Sequence, residues 1–191
     1  MSITKVAIQG DRASFHEIAA IKYYTEPIEL VYCQTFEQVF DLLKNNSVDK
    51  VFVAVKNTSH GEINVVKELK DYYQPIIEGE YPLRIEQHVV GLPNADMRGI
   101  KTIISHPIAL SQCSVFIDSM STEVSIHEYY DTSAAIEFVK KSDDPAIVAI
   151  GSEYAAQFHG LRILKRNIQN TVDNTTVFES LTTNPDAILS I

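Results

Sequence analysis

Asn170, Thr171, Asn174, Thr175 and Thr176 crowd amide and hydroxyl side chains into one short stretch that ends in Val177-Phe178. Such side chains cap turns or hold a polar ligand. An alcohol is a very weak acid, so a threonine here does chemistry as a positioned hydrogen-bond donor. On residue type alone, Asn174 is as well read as a turn cap and Thr176 as an ordinary strand threonine. Lys56-Asn57-Thr58 closes a continuous apolar run, and strand ends of that kind present functional side chains. Lys56 also reads as a solvated strand-end lysine. Ser105-His106-Pro107 opens a helix, with Ser105 as the expected cap and Pro107 near the first turn. The same hydroxyl and nearby N–H groups suit an anion. His16, His88, His127 and His159 share no metal-ligand spacing, and His60 beside Gly61 reads as a loop residue.

The elements that must position these residues are legible in outline. Val6-Ala7-Ile8, Leu30-Val31-Tyr32 and Val51–Val55 read as strands, the last buried on both faces. Helical patterns lie between them. Ser14 to about Tyr24 is one; the second starts at Thr35, which forms a capping box with Gln38. Leu83 to Val90 alternates with period two, as a half-buried strand does. Thr102-Ile103-Ile104, Val124-Ser125-Ile126 and Ala146–Ile150 are further strands. Asp131-Thr132-Ser133 caps a helix from Ala134 to Lys140, and Gly160 closes another over 153–158. This β-α-β rhythm predicts α/β architecture in two lobes, one of about 1–78 plus 175–191 and the other about 79–174. Ligands commonly sit in the central cleft of such a pair.

Composition removes several function classes. The 191 residues carry a formal net charge of −9, against the basic surface that nucleic acid or anionic membrane rewards. No apolar run approaches the roughly 20 residues of a membrane span. The start runs directly into a strand pattern without a signal-peptide signature, so a cytoplasmic protein is expected. Cys33 and Cys113, without CxxC spacing, are expected to be buried free thiols and not a metal or disulfide framework.

Six blocks, in order and at the right spacing, resemble the catalytic domain of the prephenate dehydratase family. Gly10 with Ser14-Phe15 and Ala19-Ala20 is similar to its opening glycine-rich block. Val53-Ala54-Val55-Lys56-Asn57-Thr58 stands in the place of V-P-I-E-N-S. Ser105-His106-Pro107 through Gln112-Cys113 resembles S-H-P-Q-A-L-x-Q-C. Thr132 with Ala134-Ala135 is similar to S-T-A-x-A-A, and Ala149 through Leu161 resembles a further block. Asn174, Thr176 and Phe178 stand in the place of N-x-T-R-F. The resemblance implies two lobes of the type II periplasmic-binding-protein kind and conversion of prephenate to phenylpyruvate with loss of water and carbon dioxide, in phenylalanine synthesis. It implies no metal or organic cofactor. It implies Thr176 as the catalytic hydroxyl, and Ser14, Lys56, Asn57, Thr58, Ser105, His106, Thr132, Asn174 and Phe178 as contacts of the dianionic substrate. A homodimer or larger homo-oligomer is the expected assembly. Family members usually carry a C-terminal amino-acid-binding ACT domain; only about a dozen residues follow Phe178, so feedback through it is not expected.

The chain departs from the pattern where charge matters. Val177 replaces the arginine of T-R-F and Lys56 the glutamate of E-N-S. Ala13 replaces a glycine of the opening turn, Ile108 the glutamine after S-H-P, and an aspartate is Asn170. A buried, unreplaced guanidinium contributes about 2–4 kcal/mol to carboxylate binding. Lys56 supplying that cation in place of Val177 is one expectation. Altered, non-aromatising prephenate chemistry or a ligand-binding module is the other.

Overall fold

The computed structural model describes residues 3–120 and 123–185. The first elements are β1 (Thr4–Gln9), α1 (Phe15–Tyr23), β2 (Ile28–Cys33), α2 (Phe36–Lys44), β3 (Lys50–Asn57), β4 (Gly61–Glu62), α3 (Asn64–Tyr73) and β5 (Ile76–Arg84). Then come β6 (His88–Gly91), β7 (Thr102–Ser105), α4 (Pro107–Gln112), α5 (Ser114–Asp118), β8 (Ser125–Glu128) and α6 (Thr132–Ser142). The last are β9 (Ile147–Gly151), α7 (Glu153–His159), β10 (Arg162–Lys165) and β11 (Thr175–Thr182).

These elements form two compact units. The first holds Phe15–Arg84 with the segments up to Asp11 and from Thr175; the second holds Ile85–Asn174 with the short piece Arg12–Ser14. The first unit's sheet runs β2-β1-β3-β11-β5, with β4 beside β3. β1 is parallel to β2 and β3, whereas β11 is antiparallel to β3 and β5. β1 and β3 are the runs without polar alternation, and Val6, Ala7, Ile8 and Val51, Phe52, Val53 are sealed from solvent. Burial on both faces is what a continuous apolar strand requires. α2 starts as expected: Thr35 Oγ1 accepts from Gln38 N, and the Gln38 side chain accepts from the Thr35 N–H. Its Val39, Phe40 and Leu43 form the buried helical stripe.

The second unit's sheet runs β10-β6-β9-β7-β8. β9, β7 and β8 are parallel neighbours, and β6 is antiparallel to β9 and β10. Ile136, Val139, Ala149 and Ala156 form one core against this sheet, and Ile103, Val148, Ile150 and Phe116 another. Asp131 caps α6 by accepting from Ser133 N and Ala134 N, and Gly160 ends α7 in the left-handed conformation.

Three expectations need correction. The alternating run Leu83 to Val90 is not one strand. β5 ends at Arg84, and the next residues bond elsewhere: Ile85 N to Asn174 O at 2.7 Å, Gln87 N to Gln169 Oε1 at 3.0 Å. Alternation reports which face is buried, not which strand is the partner. The division between units therefore falls after Arg84, not near residue 79. Finally, Ser105 does not cap α4. It is the last residue of β7, paired with Glu128, and its Oγ donates to Ile150 O at 2.7 Å. His106 caps instead, its Nδ1 accepting from Ile108 N at 3.2 Å, and Pro107 begins the helix. The expected first lobe also takes in residues 1–2 and 186–191, which lie outside the described residues.

Candidate active site

The corner between the end of β3 and the start of β11 gathers the polar residues of two sequence blocks. In register, Thr176 faces Asn57, Val177 faces Lys56 and Phe178 faces Ala54, which leaves Val55 as the extra residue of a bulge. A bulge re-aims the side chains beyond it. Here it sets Asn57 opposite Thr176, and Asn57 Nδ2 donates to Thr176 Oγ1 at 2.9 Å. Asn57 Oδ1 accepts from Ser59 N at 2.8 Å, which fixes the amide with its nitrogen toward the threonine. Both side chains are almost buried, at 7% and 9% exposure. With a lone pair of Thr176 Oγ1 occupied by Asn57, its own proton is left to donate outward. Among the described residues nothing accepts it.

Thr58 and Thr175 close the same corner. Thr58 N donates to Thr175 O at 2.9 Å, and Thr175 N donates to Thr58 Oγ1 at 3.0 Å. Phe178, two residues along and on the same face as Thr176, stacks on Phe52 with centroids 5.7 Å apart. It also meets His16 edge-on at 5.1 Å. It is a core anchor, 1% exposed. His16 Nε2 accepts from Ala54 N at 3.1 Å, so the ring is neutral; burial pushes its pKa down to about 3.

The opposite face of β11 is different. Val177 and Glu179 alternate away from Thr176 and Phe178. They line a pocket of about 470 Å³ with Val55, Lys56, Lys70 and Glu80. Glu179 is ion-paired with Lys70 of α3, and Glu62 with Lys67 at 2.9 Å. Lys56 and Val177 are thus direct cross-strand neighbours on the face turned away from the Thr176 hydroxyl. Lys56 therefore does stand directly opposite position 177, where the lost cation was expected, while both residues face away from the Thr176 hydroxyl. By register, a glutamate at 56 and an arginine at 177 would face each other as a cross-strand pair, and this chain has neither member.

The remaining expected residues lie in the second unit. Ser14 is 2% exposed in the Arg12–Ser14 piece. It follows Ala13, whose φ of 63° is the left-handed backbone that the missing glycine would adopt freely. Ser105 is fully buried on the Ile150 carbonyl. His106 sits at the start of α4, its pKa lowered by burial against the opposing pull of Asp131 and Glu128. Thr132 is the first residue of α6. Asn174 is 1% exposed, and its Oδ1 accepts from Gln112 Nε2 at 3.3 Å. Gln112 in turn accepts from Gln87 Nε2 at 3.5 Å. Gln87, Gln112 and Ser59 were not singled out from sequence; the signal for Gln112 was its place in the S-H-P block, while Gln87 looked like a strand residue. Asn170, in place of an aspartate, uses its amide fully: Oδ1 accepts from Val115 N, and Nδ2 donates to Ser111 O and Ser114 Oγ. A carboxylate cannot make the bond to the Ser111 carbonyl, which needs a donor. Cys33 and Cys113 are buried free thiols, and burial raises both pKa values, that of Cys113 to about 12. No group of three or more His, Cys, Asp or Glu suited to a metal occurs among the described residues. Nor, among them, is any helix long and apolar enough to cross a membrane.

Comparison with known proteins adds an independent line. Residues 6–186 match the family described as prephenate dehydratase. A bifunctional chorismate mutase/prephenate dehydratase of Buchnera aphidicola is 34% identical over 182 residues, covering 94% of this chain and 47% of the relative. Arogenate dehydratase 1 of Petunia hybrida is 30% identical, covering 96% of this chain and 43% of its own. The chain spans about half the length of the curated relatives it matches. A solved prephenate dehydratase from Arthrobacter aurescens, in complex with L-Phe, superposes with a TM-score of 0.85 at 19% identity, over 95% of this chain and 61% of that one. The fold extends to binding proteins: a putative methionine-binding lipoprotein of Bacillus subtilis superposes with a TM-score of 0.51 at 8% identity, over 98% and 85%.

Proposed function

The chain belongs to the prephenate dehydratase family, and from that premise we propose that it converts prephenate to phenylpyruvate in phenylalanine biosynthesis. The observation that carries the proposal is the Asn57–Thr176 hydrogen bond, which turns the threonine hydroxyl into an aimed donor. In the reaction the bond from the ring to its carboxylate breaks, and that electron pair becomes a ring double bond. The ring C–O bond breaks in concert, and the oxygen leaves as water with a proton from solvent. Thr176 donates a hydrogen bond to the departing oxygen and stabilises the charge that develops there. One aimed donor of this kind lowers the barrier by about 3 kcal/mol. Formation of an aromatic ring supplies the driving force, so no cofactor is needed in this reading.

Asn57 positions Thr176 directly. Lys56 is not used, because it shares the other face of the sheet with Val177. The two charged departures then fall outside the chemistry, which favours the dehydratase reading over altered prephenate chemistry or a binding module. Relatives named for arogenate make that amino analogue the second substrate to try. We further propose a cytoplasmic, homo-oligomeric protein; light scattering on the purified chain tests the assembly.

The deciding experiment is turnover of prephenate and arogenate by folded protein, read for phenylpyruvate as alkaline absorbance and for phenylalanine by chromatography. Aromatic product that disappears with Thr176→Val supports the proposal. No product at micromolar protein overturns it. A non-aromatic product, or thermal stabilisation by prephenate without turnover, selects one of the alternatives.

A further inference from the structure

We infer that Thr58 is a positioning residue that holds the start of β11 in register for Thr176, and not a ligand of the substrate. This rests on the reading of Thr176 given above. β11 begins at Thr175, directly after an irregular segment, so Thr176 is the second residue of a strand end. Strand ends fray, and a donor that must point within a few tenths of an ångström cannot sit on a fraying end. Thr58 meets Thr175 at two points, N–H to carbonyl at 2.9 Å and hydroxyl from N–H at 3.0 Å. The second bond is made by a side chain at a place where the β3 ladder has run out, since the last registered pair is Asn57 with Thr176.

The turn that carries Thr58 is itself locked. Ser59 N bonds Asn57 Oδ1 at 2.8 Å, His60 N bonds Asn57 O at 3.3 Å, and Gly61 returns the chain to pair with Asn57. Gly61 has φ +76° and open space around its missing Cβ, so its need for glycine is conformational. One hairpin turn therefore delivers two neighbouring side chains to two neighbouring residues of β11: Asn57 to Thr176 and Thr58 to Thr175. Thr58 Oγ1 thus commits an acceptor site to the backbone of β11, one residue before Thr176.

The test compares Thr58→Val, which keeps shape and removes the acceptor, with Thr58→Ser, which keeps the hydroxyl. Thr58→Val should lower kcat about tenfold with KM within about twofold. In the same variant the Thr175 amide should exchange with deuterium at least about tenfold faster. Thr58→Ser should restore both. Gly61→Ala, which strains the turn without touching Thr58, should give a milder version of both effects. A raised KM at unchanged kcat would make Thr58 a substrate ligand and overturn the inference. So would failure of Thr58→Ser to rescue, or unchanged Thr175 exchange in Thr58→Val. If the unmodified protein turns over neither prephenate nor arogenate, the proposed reaction has failed, and the Thr175 exchange still decides the clamp alone.

Discussion

The two faces of β11 use one strand for opposite purposes. On one, Thr176 and Phe178 meet neutral partners: the Asn57 amide and the Phe52 ring. On the other, Val177 and Glu179 meet charge, with Lys56 opposite Val177 and Lys70 paired to Glu179. Family residues survive on the first face and are replaced on the second. A hydroxyl donor works best where little else competes for its proton, and an aromatic stack excludes water from its surroundings. Surface charge pairs contribute little to stability, so losing one is tolerated. The comparison teaches that adjacent residues in a strand are poor guides to each other's roles, because the pleat sends them to different neighbours.

Four experiments break or sharpen that contrast. Phe178→Ala should act on stability through the first face. It empties a fully buried stack and should cost about 3–5 kcal/mol, read as a lower urea midpoint. A cost below about 1 kcal/mol would deny that this face is a packed core.

Thr176→Val should act on the same face without that cost. Turnover should fall about a hundredfold, while the stability read from urea unfolding should drop by only about 1–2 kcal/mol, the cost of losing the buried Asn57 hydrogen bond. Equal activity in the variant would remove the threonine from the chemistry.

The third concerns pH. His16 supports Phe178 as a neutral acceptor, with a folded pKa of about 3 against an ordinary value of 6.5. The unfolded chain takes the proton first, so this contribution is complete above about pH 6.5 and is lost as pH falls toward 3. The slope attributable to one such proton reaches about 1.4 kcal/mol per pH unit. His16→Gln should flatten the acid limb of an unfolding-versus-pH curve. An identical limb would mean that His16 is already free to protonate.

The smallest effect belongs to the second face. Lys56→Glu with Val177→Arg rebuilds a cross-strand pair and should add about 0.5 kcal/mol, measured by a double-mutant cycle, while kcat changes less than about twofold. A large gain in activity would place the arginine in the chemistry and end the contrast between the faces.

Much of this was readable from residues alone. The capping box at Thr35, the buried runs at Val6 and Val51, the Asp131 cap and the closure at Gly160 are local, each decided within about four residues. The polar cluster ending at Phe178, and its likeness to one family, are what propose Thr176 as the catalytic hydroxyl. Local rules misread Ser105, because strand β7 runs one residue further than its apolar core and passes the cap to His106. They also merged β5 with β6, since alternation continues while the partners change. The pairing of Lys56 with Val177 was beyond sequence for a stronger reason. A single extra residue, Val55, shifts the register, and register is a property of two strands 119 positions apart between Asn57 and Thr176. The residue types fixed which groups were on hand to aim a proton; only tertiary pairing decided which of them share a face, because the strand pleat turns a one-residue offset into the opposite side of the sheet.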